Sequence, residues 1–147
     1  PRSAGQVPVY YNKRIPAGHD YVEMPSTPLY AFGYGLSYTT FGYSGLRLDW
    51  PEVSFTVTNT GGRDGEEVAQ LYITDLQAST VRPARQLRAF RRIALKSGES
   101  AVLTFTLSDE DLAMYDGDMH KVVEPGDFLI AVGGSSDCAA LETVYTR

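Results

Sequence analysis

The stretch VSFTVTNTGGRDGEEVAQLYITD, residues 53–75, decides the fold. In VSFTVTNT, Val53, Phe55 and Val57 alternate with Ser54, Thr56 and Thr58, the period-two pattern of a strand buried on one face. GGRDG, residues 61–65, reads as a turn, because glycine and aspartate reach backbone conformations that other residues resist. EVAQLYITD resumes as a second strand, with Ala69, Leu71 and Ile73 on one face.

The same alternation extends outward from this unit. Upstream, YSGLRLD (43–49) reads as a strand. Downstream, RQLRAFRRIALK (85–96) carries Leu87, Ala89, Ile93 and Leu95 in near alternation, with a bulge expected near Phe90. SGES (97–100) turns the chain, and AVLTFTL (101–107) sets Leu103, Phe105 and Leu107 inward against Thr104 and Thr106. SDEDLAMYD (108–116) offers Ser108 as a helix N-cap with acids behind it, so one short helical turn is expected. HKVV (120–123) pairs weakly, EPGD (124–127) turns, and FLIAVGG (128–134) and ALETVYT (140–146) are the last strands, with GGSS (133–136) a turn between them. About seven short strands separated by Gly, Pro, Asp and Ser favour an all-β sandwich of the immunoglobulin or fibronectin type III kind. The single cysteine, Cys138, excludes the immunoglobulin disulfide and leaves the redox compartment unread.

A chain of 147 residues with 43% hydrophobic content suits one globular domain that buries roughly two-thirds of its unfolded surface. No run of about 18 apolar residues is present to cross a bilayer as a helix, and residues 1–20 lack the basic and apolar segments of a signal peptide. A start at Pro1 suggests a piece of something longer. The net charge of −5 argues against nucleic acid and anionic membranes as partners, since both reward clustered positive charge.

Residues 1–42 are rich in Pro, Gly and Tyr and poor in alternation, which describes an arm that packs against something rather than part of the sandwich core. Within them, PLYAFGYGLSYTTF (28–41) holds five aromatic rings and two glycines. Tyr30, Phe32 and Tyr34 alternate, while Gly33 and Gly35 remove side chains from the opposite positions. An extended segment with its rings in a neighbouring domain is the expectation, and Tyr30, Phe32, Gly33, Tyr34, Gly35, Leu36, Tyr38 and Phe41 are its candidate docking residues.

PLYAFGYGLSYTTFGYSGL closely resembles the lead-in to the C-terminal fibronectin type III-like domain of family 3 glycoside hydrolases, the β-glucosidases and β-xylosidases. TVTNTGGRDGEEVAQLYI, RPARQLRAFRRIAL, TFTLSDEDLAMYD and VVEPGDFLIAVGGSS follow in the family's order and spacing, so the resemblance covers nearly the whole chain. It implies a sandwich over residues 43–147, preceded in residues 1–42 by an arm whose GQVPVYYNKR (5–14) is the tail of the preceding α/β sandwich domain. It further implies that the parent's catalytic domains are the partner, that the parent hydrolyses terminal β-linked glucosyl or xylosyl units with retention, and that family members are often secreted or periplasmic. Loop 76–84, with Thr80, Val81, Arg82 and Pro83 in it and Arg85 just after, is placed by the resemblance near the approach to the parent's active site. Two departures stand out: only WPE separates LRLD from VSFTV, which predicts a shortened first hairpin or an altered register, and His120 and Lys121 occupy the neighbourhood of a usual tryptophan.

Retaining glycoside hydrolysis needs two carboxylates about 5 to 5.5 Å apart. The resemblance puts the nucleophile and the acid/base upstream of this chain, so no catalytic residue, cofactor or metal is assigned here. Asp49-Trp50 resembles the family's nucleophile dipeptide but follows the lead-in motif, and a strand-end Asp beside a packed Trp is preferred. Asp109, Glu110, Asp111, Asp116 and Asp118 lack calcium-loop spacing and read as capping and turn acids. His19 and His120 have no triad or ligand pattern around them. Arg82, Arg85, Arg88, Arg91 and Arg92 suggest either a docking surface for an acidic partner or, preferably, a strand face balanced by Glu66 and Glu67. Two other classes of function stay open: a carbohydrate-binding module that stacks sugars on Tyr30, Tyr34 and Tyr38, and self-association into a homodimer through the exposed arm.

Overall fold

The computed structural model describes residues 1–6, 11, 25–80, 83–137 and 141–147. Nine strands and one helical turn follow one another: β1 (Phe41–Asp49), β2 (Glu52–Asn59), β3 (Gly65–Asp75), β4 (Gln86–Leu95), β5 (Ser100–Thr106), α1 (Asp109–Leu112), β6 (Met114–Tyr115), β7 (Lys121–Val122), β8 (Asp127–Gly133) and β9 (Leu141–Thr146). They form a three-stranded sheet in the order β1-β2-β5, a four-stranded sheet in the order β4-β3-β8-β9, and a small β6-β7 pair, all antiparallel.

The two larger sheets face each other over the alternating apolar residues of β2, β3, β5 and β8. Val53, Phe55 and Val57 meet Ala69, Leu71 and Ile73, with Leu103 and Phe105 beside them and Phe128, Ile130 and Val132 opposite; all are buried. Phe55 packs on Phe105 at 5.8 Å and on Tyr43 at 6.0 Å between ring centroids. This is the core that the period-two pattern of the sequence predicts.

Three local features depart from a simple reading. The turn between β1 and β2 is only Trp50-Pro51, and the register shifts farther along, where Gly45 and Leu46 of β1 stand opposite Phe55 alone. Gly45 has φ +65°, the geometry of a glycine-led bulge. A short hairpin with altered register is therefore what forms. In β4 the extra residue is Arg88, not Phe90: Ala89 pairs with Leu71 while Leu87 pairs with Tyr72. The inserted residue turns Leu87 to the outer face with Tyr72, away from Ala89 and Ile93, so strict alternation misplaces Leu87. Finally, Gly61 and Gly65 keep negative φ. A Cβ on Gly61 would lie 2.2 Å from Thr39 Oγ1, and one on Gly65 would lie 2.5 Å from Thr39 Cγ2. Gly61 and Gly65 are there to admit the incoming arm, a different reason from the backbone freedom expected of them.

Candidate functional site

The arm reaches β1 across the end of the sandwich, where Asn59 is completely buried. Its Nδ2 donates to the carbonyls of Arg63 (2.8 Å) and Leu95 (3.0 Å), and its Oδ1 accepts from Thr39 Oγ1 (2.7 Å) and the Gly61 amide (3.1 Å). One side chain thus ties the arm, the β2–β3 turn and the end of β4 together. The Thr60 amide adds a bond to the Thr40 carbonyl at 2.8 Å.

Farther upstream the arm lies on the outer face of the four-stranded sheet. Gln70, Tyr72 and Thr74 of β3 point to that face, yet all three are buried. Buried amides and hydroxyls need partners. Gln70 Nε2 donates to the carbonyls of Gly33 (3.1 Å) and Gly134 (2.7 Å), and its Oε1 accepts from the Tyr72 hydroxyl. The carbonyl of Phe32 accepts from the Ser136 amide at 2.8 Å and lies 3.5 Å from the Tyr72 hydroxyl. Arg85 bonds Ser136 O (3.0 Å) and pairs with Glu142 (2.8 Å), which holds the β8–β9 loop under the arm. The Phe32 ring stacks on Tyr11 at 4.1 Å, and the Tyr11 hydroxyl accepts from the Leu87 amide at the open edge of β4 (2.8 Å).

The conformation of the aromatic strip follows from these contacts. It is not extended: the Tyr34 amide donates to the Ala31 carbonyl (3.1 Å), closing a turn with Gly33 at φ +81°. A Cβ on Gly33 would lie 2.1 Å from Gln70 Oε1, so both conformation and contact demand glycine. The turn brings Tyr30 and Tyr34 to 4.9 Å, their planes 31° apart, on the side away from the sheet. They form a folded pair rather than the flat platform that stacks a sugar. Leu36 and Tyr38 follow, 91% and 93% exposed, and a methyl group at Gly35 would meet no atom within 4 Å. Between this part of the arm and the start of β3 runs a groove of about 300 Å³, lined among others by Tyr34, Leu36, Glu66, Glu67 and Val68. The strip therefore splits in two. Phe32 and Gly33 close on this chain's own sheet, Phe41 starts β1 and packs against the core, and Tyr30, Tyr34, Leu36 and Tyr38 face outward.

Most of the remaining candidates, among the described residues, have partners within the chain. Asp49 ends β1 and Trp50 stacks on Tyr145 at 4.2 Å. Glu66 and Glu67 are neighbours on one strand and so project to opposite faces; the first pairs with Arg92, the second accepts from the Tyr43 hydroxyl at 2.7 Å. Arg91 lies over the Phe105 ring at 5.8 Å and Arg88 bonds Gln86, so Arg85, Arg88, Arg91 and Arg92 each have a partner within the chain. Asp111 accepts from the amide and hydroxyl of Ser108 at 2.8 and 2.9 Å, and Asp116 accepts from the amides of Asp118 and His120, both at 2.9 Å. No group of three His, Cys, Asp or Glu side chains among the described residues suits a metal ion. In loop 76–84, Ser79 is held by Glu124 through both its amide and its hydroxyl, and Thr80 and Pro83 flank the segment. Val81, Arg82, Cys138, His19 and most of GQVPVYYNKR lie outside the described residues. Sequence reasoning missed Gln70, Tyr72 and the GGSS turn as the receptor for the arm. No local signal marked them: Gln70, Tyr72 and Thr74 alternate with Ala69, Leu71 and Ile73 as on a strand buried on one face, and only the fold buries the whole run from Ala69 to Thr74.

The fold and the covered outer face define an immunoglobulin-like β-sandwich whose larger sheet is sealed by its own N-terminal arm. Residues 67–136 match the family model for the fibronectin type III-like domain. Residues 67–136 thus form a fibronectin type III-like domain, and the relatives that share it are β-glucosidases and β-xylosidases. The chain is 45% identical to a β-xylosidase of Formosa agariphila over 98% of its own length and 22% of the relative's, and 40% identical to a periplasmic β-glucosidase of Salmonella typhimurium over 92% and 20%. Among solved structures, a β-glucosidase of Erythrobacter marinus superposes with a TM-score of 0.88 at 41% identity, over 97% of this chain and 20% of that one. A β-glucosidase of Listeria innocua in complex with isofagomine does so with a TM-score of 0.83 at 35% identity, over 99% and 23%. The chain thus spans about a fifth of the length of the relatives it matches.

Proposed function

We propose that this chain is a catalytically silent accessory module, with residues 1–42 as arm and 43–147 as sandwich, that braces the catalytic domains of a family 3 glycoside hydrolase. The parent would hydrolyse terminal β-linked glucosyl or xylosyl units with retention. One observation carries the reading: the arm is anchored to its own sheet on one side through Phe32, Gly33 and Thr39, while its other side presents Tyr30, Tyr34, Leu36 and Tyr38 to the outside. An anchored strip with an uncovered apolar side is built to hold a second body at a fixed angle. Each ring that such a body covers adds several kcal/mol before entropy is subtracted, at about 25 cal/mol per Å2. The open space at Gly35 lets a neighbouring backbone approach there. Loop 76–84, pinned at Ser79, is in this reading the part nearest the parent's active site.

The test has two arms. The chain alone is assayed on aryl β-glucosides and β-xylosides, with no turnover expected; turnover abolished by replacing one of its own carboxylates would refute the silent module. In the intact enzyme, Leu36→Ser with Tyr38→Ser is expected to lower the melting temperature while leaving that of the isolated chain unchanged. Equal effects on both would show that the strip serves the sandwich alone.

A further inference from the structure

We propose that β5 is a self-pairing edge through which two copies of this chain join their three-stranded sheets. Among the described residues, the sheet order leaves β5 at an end. The Asn59 amide bonds Glu99 O at 2.9 Å, the Leu107 amide bonds Pro51 O at 2.8 Å, and the register between these points is continuous. Alternation then fixes the rest: Ala101, Leu103 and Phe105 bond to β2, while the amides and carbonyls of Ser100, Val102, Thr104 and Thr106 point to the open edge.

Unpaired strand edges invite pairing, and proteins blunt them with charge, proline, bulges or cover. The other edges here have such devices. β4 carries Arg88, Arg91 and Arg92 and a bulge, with its Leu87 amide covered by Tyr11. β1 is bulged at Gly45, and beyond its end Trp50 stacks on Tyr145 of β9, so these two edges lie against each other. SAVLTFT has no charge, no proline, no glycine and no bulge, and Val102 is 71% exposed. The occupant this edge fits is another β5. With a two-fold axis at Leu103, Val102 faces Thr104 of the second copy and Ser100 faces Thr106. Every outward amide and carbonyl then finds its mate, and no like charges meet across the junction. This surface lies apart from the aromatic strip, so the docking role of the arm can fail without affecting it.

Sedimentation velocity across a wide concentration range, with hydrogen exchange read by NMR, tests the idea on the 147-residue chain. Association is expected, and the amides of Ser100, Val102, Thr104 and Thr106 are expected to gain protection as concentration rises, while those of Leu103 and Phe105 are protected throughout. Val102→Lys should weaken the dimer by at least about tenfold. Thr104→Pro should do the same without disturbing the fold, since the amide it removes is not used within the chain. Leu36→Ser should have no effect. A chain that stays monomeric, or a dimer that survives both β5 variants or leaves those four amides exchanging freely, overturns the proposal.

Discussion

The two sheets treat their outer faces in opposite ways. On β2 the outward residues Ser54, Thr56 and Thr58 are partly open to water, and only the inward residues belong to a core. On β3 the outward residues Gln70, Tyr72 and Thr74 are buried like the inward ones: the arm and the β8–β9 loop bond Gln70 and Tyr72, and the Thr74 hydroxyl donates to the Ala84 carbonyl ahead of β4 (2.8 Å). A strand covered on both sides is buried at every residue, and one covered on one side is buried at every second residue. The four-stranded sheet therefore serves two cores, one apolar and shared with its partner sheet, the other built around the hydrogen-bonded pair Gln70 and Tyr72.

The comparison is most severely tested by emptying each core in turn. Phe55→Ala, in the inner core, is expected to cost about 3–5 kcal/mol. Tyr72→Ala should cost a similar amount, since Tyr72 is fully buried and its loss also strips Gln70 Oε1 of a donor. Urea unfolding reads both. If Tyr72→Ala cost less than about 1 kcal/mol, the outer layer would be a loose cover and not a core.

Asn59→Ala comes next, at about 2–3 kcal/mol, because it takes this donor from the carbonyl of Arg63 and from that of the buried Leu95 and releases Thr39 from the sandwich. Gly33→Ala should cost about 1–3 kcal/mol through its left-handed backbone and its clash with Gln70. In the Gln70→Ala background that cost should shrink, since the clash disappears and only the backbone strain remains. Additive costs would mean that Gly33 and Gln70 do not meet in solution. At the far end of the scale, Thr56→Ala on the open face of β2 should stay within about 0.5 kcal/mol.

The same contrast explains what the sequence disclosed. Where one face is buried, the pattern maps directly to structure: Val53, Phe55 and Val57, then Leu103 and Phe105, face the core as read. The helical turn capped by Ser108, the weak pairing of Lys121–Val122 and all the larger strands were legible for the same local reasons. Leu87 was misplaced because a bulge is one inserted residue whose position depends on the partner strand, and nothing in RQLRAFRR marks Arg88 over Phe90. The fold of the aromatic strip was hidden for a related reason. Tyr30, Phe32 and Tyr34 alternate as a strand would, but the sheet surface beneath them offers Gln70 as a bonding partner, and a turn at Gly33 satisfies it better than extension. The use of GGRDG and GGSS as clearances and receptors for the arm depends on contacts between segments 20 to 100 residues apart, beyond any local rule.

The smallest expected effect lies where α1 meets the end of the chain. Asp109 accepts two hydrogen bonds from the Arg147 guanidinium, at 2.6 and 3.0 Å, and this holds its carboxyl below the usual aspartate range. Both groups are exposed to water, so screening keeps the contribution small. A carboxyl with a depressed folded pKa adds stability above its unfolded value, about 3.9, and loses it as pH falls through the folded value. Wild type should therefore melt slightly above Asp109→Asn at neutral pH, and the two curves should converge only as pH falls from about 3.9 through the lower folded value, below which both carry an uncharged group at this position. Added salt should narrow the neutral gap. A gap that persists unchanged at acid pH would assign the contact to packing or amide geometry instead of charge, and a gap that widens on acidification would reverse the sign of the linkage. Because Asp109 and Arg147 touch neither the arm nor β5, the variant also serves as the control against which changes in docking or self-association are measured.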